Sequence, residues 1–362
     1  MIRVALVGPL PPPSGGMANQ TLQLARLLSQ ENMEVETVQV NAPYAPAWIG
    51  RVRGIRAVFR LVPYLVNLWR AFGRADIVHL MANSGWSWHL FSVPAIWLAR
   101  ARGIPIVVNY RGGYAREFLQ RQSAIVAISM KRAASLVVPS RFLHQVFNEF
   151  GLPSRVVPNI VDVERFKPPV RVGDRPPVIL VSRNLEPIYD NATAIRSLRL
   201  LRQSLPGVRL LIAGSGPEAE NLKKLAQDLG LQSVVEFAGR IAAEDMPALY
   251  ARAGIALNPS RVDNMPNSVL EALAAGVPVV STNVGGVPFI VEHEKNALLV
   301  PPGDEAAMAS AMLRIFQDSA LAERLTAEGR KTAESCAWPR VRETLFQVYR
   351  DALGGKISGA FQ

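Results

Sequence analysis

The sequence lacks the residues that disulfide-linked and metal-dependent proteins need. It has a single cysteine, Cys336, among 362 residues, which allows no internal disulfide and is typical of a reducing, cytoplasmic setting. With four histidines and no D-x-D element, no cluster stands at metal-ligand spacing, so we expect neither a metal nor a cofactor. The N-terminal MIRVALVGPL predicts a buried strand that runs into a turn, and not a signal peptide.

Acidic residues are scarce in the first half of the chain. Residues 1–165 hold 18 basic against 8 acidic residues, whereas residues 166–362 hold 22 against 21. A basic first half favours an anionic partner, which is nucleic acid, an anionic membrane or a phosphorylated substrate. The densest basic stretch, residues 51–74, has six arginines, interleaved apolar residues and no acid. Its candidate acceptor or membrane contacts are Arg51, Arg53, Arg56, Arg60 and Arg70.

Two interpretations of residues 51–74 stay open from composition alone. The stretch is compatible with a helix or helical hairpin in a membrane interface, with its arginines at anionic headgroups. It is equally compatible with a surface helix that has ordinary core residues on one face. The nine residues between Arg60 and Arg70 are too few to cross a bilayer, which takes about 20. Nucleic acid ranks below both interpretations, because no RNA-stacking motif accompanies the arginines.

Apolar runs alternate with helix-like segments, which predicts parallel sheets covered on both faces. In the first half the expected strands are IRVALVG, MEVETVQV, ADIVHLM, IPIVVNY and SLVVPS, with a helix from about Met17 to Gln30. The pattern restarts with PVILVSR, VRLLIAG, VVEFAGR, GIALNPS and VPVVSTN. We therefore predict a Rossmann-like domain over 1–166, a second over 167–340, and a C-terminal helix in 341–362 that packs back on the first.

The segment 260–286, SRVDNMPNSVLEALAAGVPVVSTNVGG, is the strongest functional signal. A strand ends in a loop with Asp263, and a helix is expected to begin near Pro266 and to carry Glu271 in its second turn. Free amides at the start of this helix suit a diphosphate, and a carboxylate one turn further can accept both hydroxyls of a ribose. The amides are those of Asn267, Ser268 and Val269.

The spacing D-x7-E, followed by ALAAGVPVV and NVGGVPFIV, resembles the E-x7-E signature of retaining glycosyltransferase family 4 (glycosyl transferases group 1), of GT-B architecture. VPNIVDVERFKP resembles the interdomain stretch of this family, and VSRNL, LLIAGSGPE and VEFAGRI its second-domain strands. PPPSGGMANQTLQLARLL resembles its first loop and helix, where Gly15 and Gly16 would let the backbone approach the phosphates. The resemblance covers nearly the whole chain. It implies an α/β fold of two Rossmann-like doubly wound domains that face a central cleft.

The resemblance also implies roles for single residues. Glu271 would bind the ribose of the donor nucleotide, Asp263 would hold hydroxyls of the transferred sugar, and Arg183 would pair with the diphosphate. The backbone at Ile241 would meet the base. No metal ion takes part in the reaction that the family implies.

The sequence departs from the family pattern at three positions. Asp263 stands where a glutamate is usual, which shortens the reach of the carboxylate by one methylene. A lysine expected about five residues after Arg183 is missing, so the donor phosphates have less charge compensation. Arg111 stands at or beside the place of a histidine that contacts the donor sugar, and we expect it to contact a donor or acceptor phosphate instead. With Asp263 it is a candidate catalytic residue.

The expected reaction transfers a hexosyl or N-acetylhexosaminyl group from a UDP or GDP sugar to an acceptor, with retention, as the resemblance implies. Because the sequence positions no carboxylate as a certain nucleophile, front-side displacement is the favoured mechanism. The expected acceptor is a lipid-linked saccharide or an oligosaccharide in surface polysaccharide or lipopolysaccharide synthesis. The expected location is the inner face of the cytoplasmic membrane, where residues 51–74 would meet anionic lipid. The missing lysine and the altered histidine position keep one alternative open, a noncatalytic nucleotide-sugar-binding partner of another transferase.

Overall fold

The computed structural model describes residues 1–12, 15–44, 48, 55–167 and 176–354. The chain forms two compact units. The first consists of Met1–Ile160 with Val341–Gln362, and the second of Val161–Arg340. The domain boundary predicted from the sequence, after residue 166, lies a few residues further along the chain.

The first unit is built on one parallel sheet with the strand order β2-β1-β3-β4-β5-β6. Its strands are β1 (Ile2–Gly8), β2 (Met33–Gln39), β3 (Ile77–Ala82), β4 (Ile106–Tyr110), β5 (Ser135–Val138) and β6 (Arg155–Val156). The helices between them are α1 (Gly16–Gln30), α2 (Ile55–Phe72), α3 (Val93–Ala101), α4 (Ala115–Met130) and α5 (Arg141–Glu149). Every residue of β3 and β4 is buried, as is typical of central strands with helices on both faces.

The second unit repeats this architecture, with the strand order β12-β11-β10-β7-β8-β9. Its strands are β7 (Val178–Ser182), β8 (Arg209–Ala213), β9 (Val235–Gly239), β10 (Ile255–Asn258), β11 (Val279–Thr282) and β12 (Leu298–Val300). Its helices are α6 (Asn191–Leu201), α7 (Ala219–Asp228), α8 (Met246–Ala251), α9 (Asn267–Ala274), α10 (Glu305–Gln317) and α11 (Ser319–Ser335). Because β7 and β10 are neighbours in the sheet, the loops that follow them are neighbours as well. The prediction of two Rossmann-like sheets is confirmed.

The last helix, α12 (Trp338–Ala352), belongs to the first unit from Val341 onward. Tyr349 on this helix is fully buried, and its hydroxyl lies 2.8 Å from Nδ1 of His79 in β3. Burial lowers the pKa of His79 to about 3, so its ring is neutral at physiological pH. His79 is therefore part of the core that joins α12 to the sheet.

In the arginine-rich stretch, residues 55–74 are described, and within them the single helix is α2 and no helical hairpin forms. Arg51 and Arg53 lie outside the described residues, and Arg56 lies in the first turn of α2. Arg60 lies over the ring of Tyr44, with its guanidinium carbon 4.1 Å from the ring centroid, and Arg70 is exposed in the last turn. Within the described part of the chain, no helix is both long enough and apolar enough to cross a bilayer.

Candidate functional site

Arg183 lies in the loop that follows β7, and glycines determine how closely this loop can be packed. A Cβ atom on Gly214, in the loop after β8, would lie 1.9 Å from the carbonyl oxygen of Arg183. A Cβ atom on Gly216 would lie 2.3 Å from the carbonyl oxygen of Leu185. The amide of Leu185 also donates to the carbonyl of Ser215 at 3.1 Å. The GSG motif therefore positions the backbone of Arg183, because no side chain fits between the two loops.

Asp263 lies in the loop that follows β10, and this loop is packed in the same way. A Cβ atom on Gly286 would lie 1.7 Å from the carbonyl oxygen of Asn264. The amide of Gly286 donates to the carbonyl of Asp263 at 2.9 Å. Gly285 has a φ of +50°, in the left-handed region that favours glycine. The NVGG motif thus holds the Asp263 loop through backbone contacts.

The first turn of α9 differs from the expectation drawn from the sequence. Pro266 precedes the helix in an extended conformation, so the helix begins one residue later, at Asn267. The amide of Val269 donates to the carbonyl of Pro266 at 3.2 Å. The expectation of a free amide at Val269 was therefore wrong, because a tight first turn already pairs it. Ser268 contributes its side chain instead, with Oγ 3.4 Å from Nη1 of Arg183.

Arg183 and Asp263 form an ion pair that is almost completely buried. Nη2 of Arg183 lies 2.5 Å from Oδ2 of Asp263, and each side chain is 11% exposed. The guanidinium of Arg183 also lies over the ring of Tyr189, 4.1 Å from its centroid. Burial raises the pKa of Asp263, while the charge of Arg183 opposes this shift. The sequence assigns these two residues to different parts of a ligand, whereas here they contact each other.

The Nε–H group of Arg183 is buried and has no hydrogen-bond acceptor among the described residues. An unpaired buried donor costs about 1–3 kcal/mol, so such a group usually has a partner in the functional state. The Nη groups of this arginine already contact Asp263 and Ser268. The free Nε–H can therefore donate a hydrogen bond to a ligand oxygen, and most strongly to an anionic one.

Glu271 lies in the second turn of α9, close to Tyr250 of α8. The hydroxyl of Tyr250 lies 3.1 Å from Oε2 of Glu271 and 3.0 Å from the carbonyl oxygen of Ser268. Burial raises the pKa of Glu271 to about 7, and the hydrogen bond from Tyr250 opposes this shift. Tyr250 and Tyr189 are the site residues that sequence reasoning missed, because nothing in their local sequences distinguishes them from core or loop tyrosines.

The other residues assigned to a donor have different surroundings. Gly15 precedes α1 and Gly16 begins it. A Cβ atom on Gly15 would meet nothing within 4 Å among the described residues, so packing does not require glycine there. Ile241 follows β9, is partly buried and packs against the apolar cluster that contains α9. The roles of these residues toward phosphate and base stay predictions.

Arg111 follows β4 in the first unit and lies among neutral polar groups. Its Nε–H donates to Oδ1 of Asn109 at 3.2 Å, and its Nη1–H donates to Oδ1 of Asn159. Burial lowers the pKa of Arg111 to about 10, and no carboxylate of the described residues raises it. With Gln20 and His79 it lines a small pocket. Its role toward a phosphate stays a prediction.

Clusters that could hold a metal ion are not found in the described part of the chain. No three side chains of histidine, cysteine, aspartate or glutamate come together there in a way that could bind one. The groups that the second unit does bring together are one guanidinium, two carboxylates, two tyrosines and a serine hydroxyl. These groups suit a ligand that has both negative charge and hydroxyl groups.

Both halves of the chain are similar in sequence to known glycosyltransferases. Residues 14–165 match the family model described as Glycosyltransferase Family 4, and residues 162–332 match the one described as Glycosyl transferases group 1. A D-inositol 3-phosphate glycosyltransferase of Saccharomonospora viridis is 30% identical over 344 residues, which is 86% of this chain and 78% of that protein. A GDP-mannose-dependent phosphatidylinositol monomannoside mannosyltransferase of Mycobacterium tuberculosis is 35% identical over 192 residues, 48% of this chain and 50% of the relative. The chain thus spans about half the length of the latter relative.

Solved structures share the fold over nearly the whole chain. The Anabaena protein HepE, in complex with UDP, has a TM-score of 0.75 and 18% identity, covering 96% of this chain and 99% of that one. Sucrose-phosphate synthase from Thermosynechococcus elongatus has a TM-score of 0.75 and 20% identity, covering 98% and 100%. At these identities the likeness establishes the fold, GT-B with two Rossmann-like domains, and nothing finer.

Proposed function

The chain belongs to glycosyltransferase family 4, the glycosyl transferases group 1, and on this premise we propose that it transfers a sugar from a nucleoside diphosphate sugar to an acceptor hydroxyl, with retention. The observation that carries the proposal is the buried, unpaired Nε–H of Arg183 beside Asp263. A diphosphate oxygen would satisfy this donor. The carboxylates of Asp263 and Glu271 are suitable acceptors for sugar and ribose hydroxyls.

In the proposed reaction, the acceptor oxygen bonds to the anomeric carbon while the bond from that carbon to the diphosphate oxygen breaks. The departing oxygen takes the proton of the acceptor hydroxyl, so attack and departure use the same face of the sugar. Arg183 stabilises the charge that grows on the diphosphate. When the diphosphate takes the place of Asp263 as the partner of Arg183, the carboxylate of Asp263 accepts hydrogen bonds from the transferred sugar. In the first unit, we assign Arg111 to a donor or acceptor phosphate. No metal ion or cofactor is part of this proposal.

Release of nucleoside diphosphate distinguishes this proposal from a noncatalytic sugar-nucleotide-binding protein. Because one relative is named as GDP-mannose-dependent and HepE was solved with UDP, the donors to compare are GDP-mannose, UDP-glucose and UDP-N-acetylglucosamine. We expect nucleoside diphosphate to be released from one of these donors. Transfer of the sugar to water or to an added saccharide would produce this release. Donor binding without any release would favour the noncatalytic alternative.

The raised pKa of Glu271 leads to a pH-dependence prediction. A ribose that donates both hydroxyls needs the carboxylate form, and with a pKa of about 7 the ionised fraction rises about tenfold between pH 6 and 8. The dissociation constant of the preferred nucleoside diphosphate is expected to fall about tenfold over this interval. Calorimetric titration at several pH values measures this, and Glu271→Gln should bind more weakly without the dependence. An equally steep dependence in Glu271→Gln would assign the titration to another group.

The raised pKa of Glu271 also affects folding stability, which falls with rising pH while nucleotide affinity increases. Because the folded state holds this proton more tightly than the unfolded state, the contribution to the free energy of unfolding is present below pH 4.5 and is lost as pH rises to about 7. The loss makes the ligand-free site less stable at the pH where ligand binds best. Glu271→Gln lacks this pH-dependent contribution. The difference in free energy of unfolding between Glu271→Gln and the wild-type protein should therefore change between pH 4.5 and about 7.

An exposed apolar face of the first unit supports a membrane-associated, lipid-linked acceptor as the finer part of the proposal. Helix α2 packs on α3, and α3 packs on α4, where Nε1 of Trp97 donates to Oγ of Ser129 at 3.1 Å. The three helices expose large apolar side chains, which we call the α2–α4 face. Its members are Phe59, Val62, Leu65, Val66, Trp69, Trp97, Ile125 and Ile128.

Arginines accompany the α2–α4 face, which favours an anionic bilayer over a neutral partner. The guanidinium of Arg102 lies 3.6 Å from the ring centroid of Trp69, and that of Arg132 lies 5.5 Å from a ring of Trp97. Neither α2 nor α3 contains an acidic residue. Apolar side chains that enter the interface and arginines that meet lipid phosphates are the two requirements for peripheral binding.

Sedimentation with lipid vesicles tests the α2–α4 face. The protein is expected to bind vesicles that contain phosphatidylglycerol at low salt and to be released at about 1 M salt, where the Debye length is about 3 Å. Trp69→Ala is expected to bind about tenfold more weakly, because it removes the burial of an indole. Trp86→Ala, an exposed tryptophan in the loop after β3, is the matched control and should bind like wild type. Absence of binding at low salt, or an equal loss in both variants, would reject the membrane surface.

A further inference from the structure

Two exposed aromatic side chains stand at equivalent positions after neighbouring strands. Ala82 and Tyr110, the last residues of β3 and β4, are paired in the parallel register. Trp86 and Tyr114 each follow four residues later, and they are 79% and 46% exposed. Parallel strands that end together place the residues after them at the same edge of the sheet. Both rings therefore lie at the carboxyl edge, which is where ligands bind in open α/β sheets.

The loops that carry these rings are joined to each other. The hydroxyl of Ser84 donates to the carbonyl of Gly113 at 3.2 Å, and the amide of Arg111 donates to the carbonyl of Ala82 at 2.9 Å. A Cβ atom on Gly112 would lie 2.6 Å from the amide nitrogen of Ser84. Since no side chain fits at that contact, the two loops form one closely packed surface.

Trp86 is exposed, and its ring also has a defined support. It meets the ring of His89 edge to face, with centroids 6.3 Å apart. Nε2 of His89 lies 2.6 Å from Oε1 of Gln122, whose φ of −140° interrupts α4. His89 itself lies in a π-helical turn, Trp88–Ser92. Irregular helical turns of this kind recur at functional sites, because they direct a side chain that a regular helix would not.

Tyr114 has a backbone conformation that does not suit its side chain. Its φ and ψ are 51° and 39°, the left-handed region that large residues avoid, and it directly precedes α4. Glycine would fit this backbone without strain, so backbone geometry gives no reason for an aromatic ring here. A strained residue that keeps a half-exposed ring at the ligand-binding edge of a sheet points to a role for the ring.

We propose that Trp86 and Tyr114 form an aromatic platform for the pyranose ring of a saccharide acceptor, an inference that rests on the proposed transferase function. One face of a pyranose consists of C–H groups and packs on aromatic rings, while its hydroxyls need polar partners. Such partners flank the rings at Asn83, Ser84 and His89. Glycines and polar residues surround the platform in sequence, whereas aliphatic side chains dominate the α2–α4 face. The platform therefore fits a sugar better than a lipid chain.

The indole N–H spectrum of the protein tests the platform without a donor. The chain has six tryptophans, and Trp86→Phe identifies the signal of Trp86. The probes are the methyl glycosides of glucose, mannose, galactose and N-acetylglucosamine at millimolar concentration. At least one is expected to shift the Trp86 signal and to leave that of Trp97 unchanged. No shift with any of the four, or a shift of Trp86 only with anionic vesicles, overturns the platform.

Tyr114→Gly tests the second ring without disturbing the fold. Because glycine accepts the left-handed backbone, the melting temperature should not fall, while the glycoside that shifts Trp86 should bind about tenfold more weakly. Nucleoside diphosphate affinity should stay as in wild type. Unchanged glycoside affinity in Tyr114→Gly overturns the platform. Failure of the wild-type protein to bind any nucleotide would reject the transferase proposal instead, and the glycoside shifts would still decide whether these rings bind sugar.

Discussion

Replacing Arg183 with alanine is expected to lower kcat by about 10²- to 10³-fold, the range for loss of one donor that stabilises a developing anion. This arginine contacts Asp263 and Ser268 through its Nη groups and has a buried, unpaired Nε–H, which we propose donates to a phosphate oxygen. Its loss removes the charge that balances the departing diphosphate. The measurement is the initial rate of nucleoside diphosphate release with saturating donor.

The control for Arg183→Ala has to separate chemistry from stability. Without its partner, the carboxylate of Asp263 is buried and unpaired, which costs about 3 kcal/mol. Adding Asp263→Asn removes that charge and should restore much of the melting temperature without restoring the rate. Arg183→Lys keeps the charge and loses the planar fork, so its rate should fall between wild type and alanine. If Arg183→Ala kept the wild-type rate at a temperature where it stays folded, Arg183 would be a structural residue only.

Replacing Gly286 with alanine is expected to reduce the rate by about 100-fold, although the change adds a single methyl group. The new Cβ would lie 1.7 Å from the carbonyl oxygen of Asn264, so the loop that carries Asp263 has to move by more than 1 Å. Displacements of this size at a reacting centre cost about 10²-fold in rate. Rate assays together with thermal unfolding measure the effect, and a loss of stability should accompany the loss of rate.

The matched control for Gly286 is Gly207 in the same unit. A Cβ atom on Gly207 would have no neighbour within 4 Å among the described residues, so Gly207→Ala should keep the wild-type rate and melting temperature. A wild-type rate in Gly286→Ala would show that the NVGG contact does not position Asp263. An equal loss in both variants would mean that glycine-to-alanine changes act through general stability.

The strands were the part of the fold that the sequence predicted best. IRVALVG and GIALNPS predict β1 and β10 because continuous apolar runs between turn residues are typical of strands buried on both faces. The two-residue strand β6 and the three-residue strand β12 were missed, since so few residues carry no periodic signal. The start of α9 was one residue out, because proline is acceptable both as the first residue of a helix and as the residue before it.

The site was only partly predictable, because its contacts depend on strand order. Arg183 and Asp263 are 80 residues apart in sequence and meet because β7 and β10 are neighbours in the sheet. The same reason applies to Tyr250, which reaches Glu271 from another helix. Asn159, the partner of Arg111, lies next to the point where the chain leaves the first unit, and nothing in its local sequence indicates this contact.

Calorimetric titration of UDP, GDP and ADP into the wild-type protein and Glu271→Ala tests the proposed donor site most directly. One of the three nucleotides is expected to bind the wild-type protein, and Glu271→Ala is expected to bind it at least tenfold more weakly, because the ribose loses a charged acceptor for both hydroxyls. Binding of none of the nucleotides, or unchanged affinity in Glu271→Ala, would contradict the account.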